Sequence, residues 1–419
     1  MKIQEEGNNK MNIKKMIFII NLIVISIILA SCTGGRDVNE LGIIMSTGLD
    51  LEDGKIILTN EIMTPTSSQT STQGKSENKV KYVQSSGDTI FEAYRNSTLI
   101  FDRKLYLSHN RVLIIGEEFA KRGIGDYINF YLYDTEPREA TFMVVSKGVK
   151  AYEVMGINAG LSDTPGYFLQ GMIENYEFTS KTRNINMNEY FKYYLERETP
   201  ILGVVQKFET KEINKEQYSA SNNKFVLDVT GGAAFKKDTL VGYYSGDEMI
   251  GFNFLVNEIQ GGLIIFEVPD EFNKDVNYIS TKGKYTVLEI ISSKTKKEIE
   301  IKDGLINLSI NVDLKGALGE ESKGLMVTEL KVLKAIQDAC SAKVAEYISA
   351  TMDKAQKEFK LDSFGINSLF HRKYPEKWKE VSGDWETIFP EINYKVNVET
   401  NILRTGLINV PTNIGKEEE

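Results

Sequence analysis

Cysteine, histidine and clustered carboxylates are the side chains that could do chemistry here, and the sequence holds only two cysteines and two histidines. Cys32 has the most informative setting. It closes the stretch Lys14 to Cys32, in which two lysines precede an apolar run from Met16 to Ala30 broken only by Asn21 and Ser26. A positive end followed by such a run reads as an export signal. At ~1.5 Å per residue the run makes about 22 Å of helix, short for a ~30 Å hydrocarbon core. The ending Leu29-Ala30-Ser31-Cys32 resembles the bacterial lipobox. In that chemistry the Cys32 sulfur takes a diacylglycerol, and cleavage before Cys32 makes it the mature N-terminus. An ordinary signal with a chance cysteine, or an uncleaved anchor helix, is the alternative reading.

The remaining reactive types point away from catalysis. Nucleophilic catalysis needs a nucleophile, an adjacent base and an orienting group. His109 and His371 lie far apart in the chain, there is no G-x-S-x-G elbow, and Cys340 falls on the apolar stripe of a helix, where a thiol is buried and inert. The run Asp50-Leu51-Glu52-Asp53-Gly54 lacks the alternating acids and distal Glu of a calcium loop and reads as an acidic turn. Gly123-Ile124-Gly125 is a G-x-G without its third glycine, and it follows a helix rather than a strand. Glu117-Glu118 and Glu320-Glu321 read as solvated faces. No catalytic, metal-binding or cofactor-binding residue is assigned, and Cys32 is the one functional site.

Those residues must be carried by a body of considerable size. A chain of 419 residues suggests two or three domains at ~150 residues each. Its 41% hydrophobic and 26% charged content describes a folded protein. The net charge is −9, and residues 1–31 carry four Lys against two Glu, so the part from Cys32 onward stands at −9 − 2 = −11. An acidic body is a poor partner for nucleic acid and offers no polybasic membrane patch. With Cys32 lipidated, Cys340 has no partner for a disulfide.

In chain order, Leu41–Met45 and Lys55–Met63 read as a hairpin about Asp53-Gly54. Pro65 to Lys79 has no large apolar residue and reads as a loop. Thr89-Ile90-Phe91-Glu92 fits a capping box opening a helix with Phe91, Tyr94 and Leu99 on one side. A strand at Arg111–Ile115, helices ending at Gly123 and spanning Asp126–Tyr133, and a strand at Ala140–Val145 follow. Lys147–Gly160 looks helical, Ser162 to Gly166 is a turn, and Asn188–Arg197 is a helix. Thr210 to Lys224 is the linker. Beyond it, Gly231 to Gly242 forms a hairpin, and Glu298–Lys302 and Leu305–Leu314 pair about Asp303-Gly304. The longest helix spans about Leu325 to Phe359, with Leu330, Leu333, Cys340, Val344, Tyr347, Ile348, Thr351, Ala355 and Phe359 on its stripe. A last alternating strand, Ile392 to Val398, should join the same sheet.

Several phrases together resemble the Ger(x)C family, the lipoprotein C subunits of nutrient germinant receptors in spore-forming bacteria. They are Asp37-x-x-Glu40-Leu41, Gly48-Leu49-Asp50, the run from Leu107 to Ala120 (LSHNRVLIIGEEFA), Glu136-x-Arg138, the run from Gly232 to Gly242 (GAAFKKDTLVG), and the run from Phe370 to Lys379 (FHRKYPEKWK). The resemblance spans Cys32 to about Pro411. It implies a non-enzymatic lipoprotein on the outer face of the spore inner membrane, held by a diacylglycerol on Cys32 and assembled with integral membrane A and B subunits. The family has Cys-Trp-Asp at the mature start, whereas here Thr33-Gly34-Gly35-Arg36 separates Cys32 from Asp37 and the tryptophan is missing. The expected fold is α+β and multidomain, with two small mixed lobes in the N-terminal half and a C-terminal antiparallel sheet packed on one long helix. The divisions are a signal peptide at 1–31, an N-terminal region at 32–209, a linker at 210–224, a C-terminal domain at 225–411 and an acidic tail at 412–419. The alternative class is a solute-binding lipoprotein of a transporter, which calls for two similar α/β lobes around a cleft.

Overall fold

The computed structural model describes residues 15–22, 41–63, 80–133, 137–158, 160–196, 199–209, 225–269, 285–321 and 327–405. Cys32, the 65–79 loop, the 210–224 linker, Asp37, Glu40, Glu136 and the 412–419 tail lie outside the described residues. The chain divides into two compact units, 1–42 and 43–419. In the first, residues 15–22 form a helix with Met16, Ile17, Phe18, Ile19, Ile20 and Leu22 all more than half exposed. No described helix is long and apolar enough to cross a membrane.

The second unit is built on two sheets. The first uses β1 (Leu41–Glu52), β2 (Lys55–Met63), β3 (Val80–Gly87), β4 (Lys104–Tyr106), β5 (Val112–Gly116), β6 (Phe142–Ser146), β7 (Ile201–Glu209), β8 (Phe225–Lys236) and β9 (Thr239–Tyr244). Its order is β3-β2-β1-β5-β6-β7-β8-β9, with β4 beside β1. Asp53 (φ 48°) and Gly54 (φ 80°) turn β1 into β2 with both central residues left-handed, the two-residue turn whose twist suits a hairpin. Strands β1, β5, β6 and β7 run parallel, and parallel strands need cover on both faces. Alternation supplies it. Leu113, Ile115, Met143, Val145, Leu202 and Val204 point into one apolar cluster, and Val112, Ile114, Val144 and Val205 into another. What the sequence suggests as two lobes is thus, among the described residues, two cores on one sheet.

The second sheet has the order β10 (Leu263–Glu267), β11 (Tyr285–Lys302), β12 (Leu305–Glu321) and β13 (Asn393–Arg404). Its inner face, including Leu308, Ile310, Val312 and Leu314, shares one core with the helix Leu330–Lys354. The α+β class and the sheet on one long helix follow the sequence. Several details differ. Of the stretch 147–160, read as helical, only Ala151–Val154 forms a helix among the described residues. β13 runs parallel to β12, because the long helix and those after it carry the chain back to the start of the sheet, as a crossover does. The buried stripe begins at Val332 and Ile336, while Leu330 is 82% exposed. The helix Ile90–Ser97 buries Ile90, Ala93, Tyr94 and Ser97, leaving Phe91 and Leu99 outside.

Candidate functional site

Cys340 is fully buried on the long helix, and burial pushes its thiol up to about 12, so it stays a protonated, inert packing group. His109 is exposed in a short turn beside Tyr106, and His371 is stacked on Trp378 with centroids 5.6 Å apart. Among the described residues no group of three His, Cys, Asp or Glu could hold a metal ion. Glu117 and Glu118 are tied to Lys121 at 2.9 and 3.0 Å.

Two buried carboxylates on the first hairpin were not legible as such. Asp50 is 1% exposed and lies within β1 rather than on the solvated turn. Its Oδ1 accepts the N–H of Ala151 at 2.8 Å and its Oδ2 that of Tyr152 at 3.2 Å. It therefore caps the helix Ala151–Val154 from a different element, satisfying donors that a helix start leaves open. Glu61 has no exposed surface and does the same for the helix Pro165–Glu174, accepting from Gly166 N at 3.1 Å and from Ser46 Oγ at 2.7 Å. Burial raises both carboxyls above the usual range, opposed by the hydrogen bonds they accept. A Cβ on Gly116 would stand 2.1 Å from Asp50 Oδ1, so the Gly-Leu-Asp phrase at 48–50 and the glycine ending β5 form one close contact.

The other phrases form a junction. Asp238, in the β8–β9 turn, accepts from Gly125 N through its Oδ2 at 3.2 Å, and its carbonyl accepts from Ile124 N at 2.9 Å. The G-x-G at 123–125 thus permits close backbone approach to this turn. A Cβ on Gly232 would meet Met249 Sδ at 2.3 Å, and one on Gly242 would meet the Phe359 ring at 2.4 Å. The helix Gly246–Leu255, buried from Met249 to Leu255, passes between the β8–β9 hairpin and the long helix. Lys354 pairs with Glu248 there at 2.9 Å. Farther on, Asp362 accepts from Ile366 N at 3.2 Å, Asn367 N at 2.6 Å and Trp385 Nε1 at 3.0 Å. Phe370, Trp378 and Trp385 form one aromatic cluster with centroids 5.2 to 6.3 Å apart. These residues hold elements together, and none is arranged around a reacting atom.

The surface offers a groove of about 80 Å³ between Phe91, Arg95, Thr98, Leu105, Leu107 and Phe130, small beside the ~300 Å³ and upward of ordinary ligand sites. The two sheets of the second unit also differ in strand number and order, unlike the repeated lobes of a solute-binding protein.

The family described as "Spore germination protein N-terminal domain" matches residues 34–207, and "Spore germination B3/GerAC like, C-terminal" matches 230–406. Spore germination protein KC of Bacillus subtilis (strain 168) is 26% identical over 410 residues, 95% of this chain and 98% of that one. Spore germination protein B3 of the same organism is 24% identical over 91% and 95% of the two chains. The crystal structure of the GerBC protein aligns with a TM-score of 0.54 at 20% identity, covering 88% of this chain and all of that one, a likeness of fold.

Proposed function

The chain belongs to the Ger(x)C family of spore germination proteins, and from that premise we propose that it is a lipid-anchored subunit of a nutrient germinant receptor. The family is one of receptor subunits and not of enzymes. The observation that carries the reading is the pair of family matches, in order, over 34–207 and 230–406. They take up nearly everything after Cys32.

In this reading a diacylglycerol on Cys32 holds the body on the outer face of the spore inner membrane, and integral membrane A and B subunits are its partners. The exposed apolar helix at 15–22 behind Lys14 and Lys15 supports an export signal. Two acyl chains, at ~0.8 kcal/mol per buried CH₂, anchor stably where one is marginal. That suits a body of charge −11, which has no need of a basic patch. Anchoring also raises the effective concentration of membrane partners and turns weak docking into assembly. The division near 210–224 remains our proposal for where the two regions meet. The gap between the family matches, 207 to 230, supports it. The pairing of β7 with β8 makes them share a sheet.

Spores lacking this chain test the reading. They are expected to lose the response to one class of nutrient while triggers that bypass nutrient receptors still act. A full response to every nutrient in the deletion would overturn it.

A further inference from the structure

The free edge of the second sheet is self-complementary, and we propose that β13 pairs antiparallel with β13 of a second copy of this chain. β12 covers one side of β13, and among the described residues no strand covers the other. Edge strands are ordinarily protected by shortness, charged side chains, proline, a bulge or a covering helix or loop. From Asn393 to Asn401 this one is long, has no proline and keeps unbroken register with β12. The sheet core also runs out to this edge, since Val396 and Val398 pack against it yet stay partly exposed.

The charges choose the occupant. Across the outer face, Lys294 lies opposite Asp313, and Asp313 beside Glu399, so this row ends in two adjacent acids. Two rows away Glu298, Ser309 and Lys395 are aligned, so that row ends in a cation. Neither Lys395 nor Glu399 has an ion pair among the described residues. Lys334 is close enough to feel Glu399 but is held by Asp338 at 2.8 Å. A two-fold axis at Asn397 sets Lys395 opposite Glu399 of the second copy, twice. The same axis sets Val396 opposite Val398 and Asn393 opposite Asn401. The Asn311–Asn397 hydrogen bond of 2.9 Å then continues into a row of four asparagines. Opposite charges directly across a strand pair attract, and like charges repel. A partner strand of unrelated sequence has no reason to match this order, whereas the strand matches itself.

The test uses the full chain in detergent and does not depend on the lipid-anchor reading. In an antiparallel pair, directly opposed Cα atoms are 4.5–5.5 Å apart, within disulfide range. Asn397→Cys should form a covalent dimer under mild oxidation. Asn393→Cys should not, because its counterpart lies about 27 Å away along the strand. The wild-type chain controls for Cys32 and Cys340. On the Asn397→Cys background, Lys395→Glu and Glu399→Lys should each weaken self-association about tenfold or more. Mixing these two variants should restore cross-linking between unlike copies, and the double variant should restore it within one population. Absence of an Asn397→Cys dimer, equal cross-linking at position 393, or indifference to charge reversal and mixing would overturn the proposal.

Discussion

Removing one negative charge from each of the two buried carboxylates should give unequal results. Asp50 uses both oxygens as acceptors of backbone N–H groups, from Ala151 and Tyr152. Asp50→Asn leaves one oxygen, so an amide N–H₂ must face a backbone N–H in either orientation. A buried donor without an acceptor costs about 1–3 kcal/mol, a large part of an ordinary 5–15 kcal/mol stability. Glu61 differs because two of its partners, Ser46 Oγ and the Thr164 side chain, are hydroxyls that can accept as well as donate. In Glu61→Gln the amide oxygen takes the Gly166 N–H and the amide nitrogen donates to Ser46. The penalty of burying a charge is gone, so the variant should lie within about 1 kcal/mol of wild type at pH 7, or above it. The pH dependence has a fixed sign. Burial raises both carboxyls in the folded state, so the folded protein binds these protons more tightly than the unfolded chain. Their contribution is most favourable below the ordinary carboxylate value of about 4. It declines as pH rises to the raised folded values and is flat above them. Glu61→Gln removes its share of that decline and should gain on wild type through this window. Urea unfolding from pH 4 to 8, with m-values compared, reads both effects. The reasoning fails if Asp50→Asn is as stable as wild type at pH 7, or if Glu61→Gln loses more than about 2 kcal/mol there.

Other consequences follow from the packing. Cys340 should resist a bulky thiol reagent until denaturant is added, read by mass of its peptide, and Cys340→Ser, whose hydroxyl keeps the Thr400 side chain as a hydrogen-bond partner, should cost about 1 kcal/mol or less. Gly251→Ala would place Cβ 2.2 Å from the Tyr347 carbonyl oxygen and 2.4 Å from Thr351 Oγ1, forcing two helices apart. We expect a loss of about 1–3 kcal/mol or more in a denaturant melt. Gly171→Ala, with nothing within 4 Å of the new methyl, should stabilise by about 0.4–1 kcal/mol in the same assay.

Local chemistry was the legible part of this fold. Asp53-Gly54 and Asp303-Gly304 announce their hairpins because few residue pairs suit two successive positive φ values. The stripe from Cys340 to Ala355 announces its helix. Signals that depend on distant partners were hidden. Asp50 resembles a solvated acid until Ala151, about a hundred residues later, delivers a helix start to it. Thr164-Pro165-Gly166 reads as a turn, yet Thr164 caps a helix with proline in its first turn. The helix Gly246–Leu255 is buried on nearly every side, so it has no polar face to give it a period. The direction of β13 depended on what the intervening helices do in three dimensions, which alternation along the strand does not encode. Cys32 is singled out by its local pattern alone, and its lipidation stays our proposal.

The most direct test of the central claim is the chemistry and consequence of Cys32 in spores. Mass spectrometry of the wild-type protein should find Cys32 as the mature N-terminus carrying diacylglycerol. Cys32→Ala should leave the membrane fraction, lower the level of assembled receptor and weaken the nutrient response, while triggers that bypass nutrient receptors work normally. An unmodified Cys32 in the wild type, or a Cys32→Ala spore with normal nutrient response and partner levels, would contradict the account.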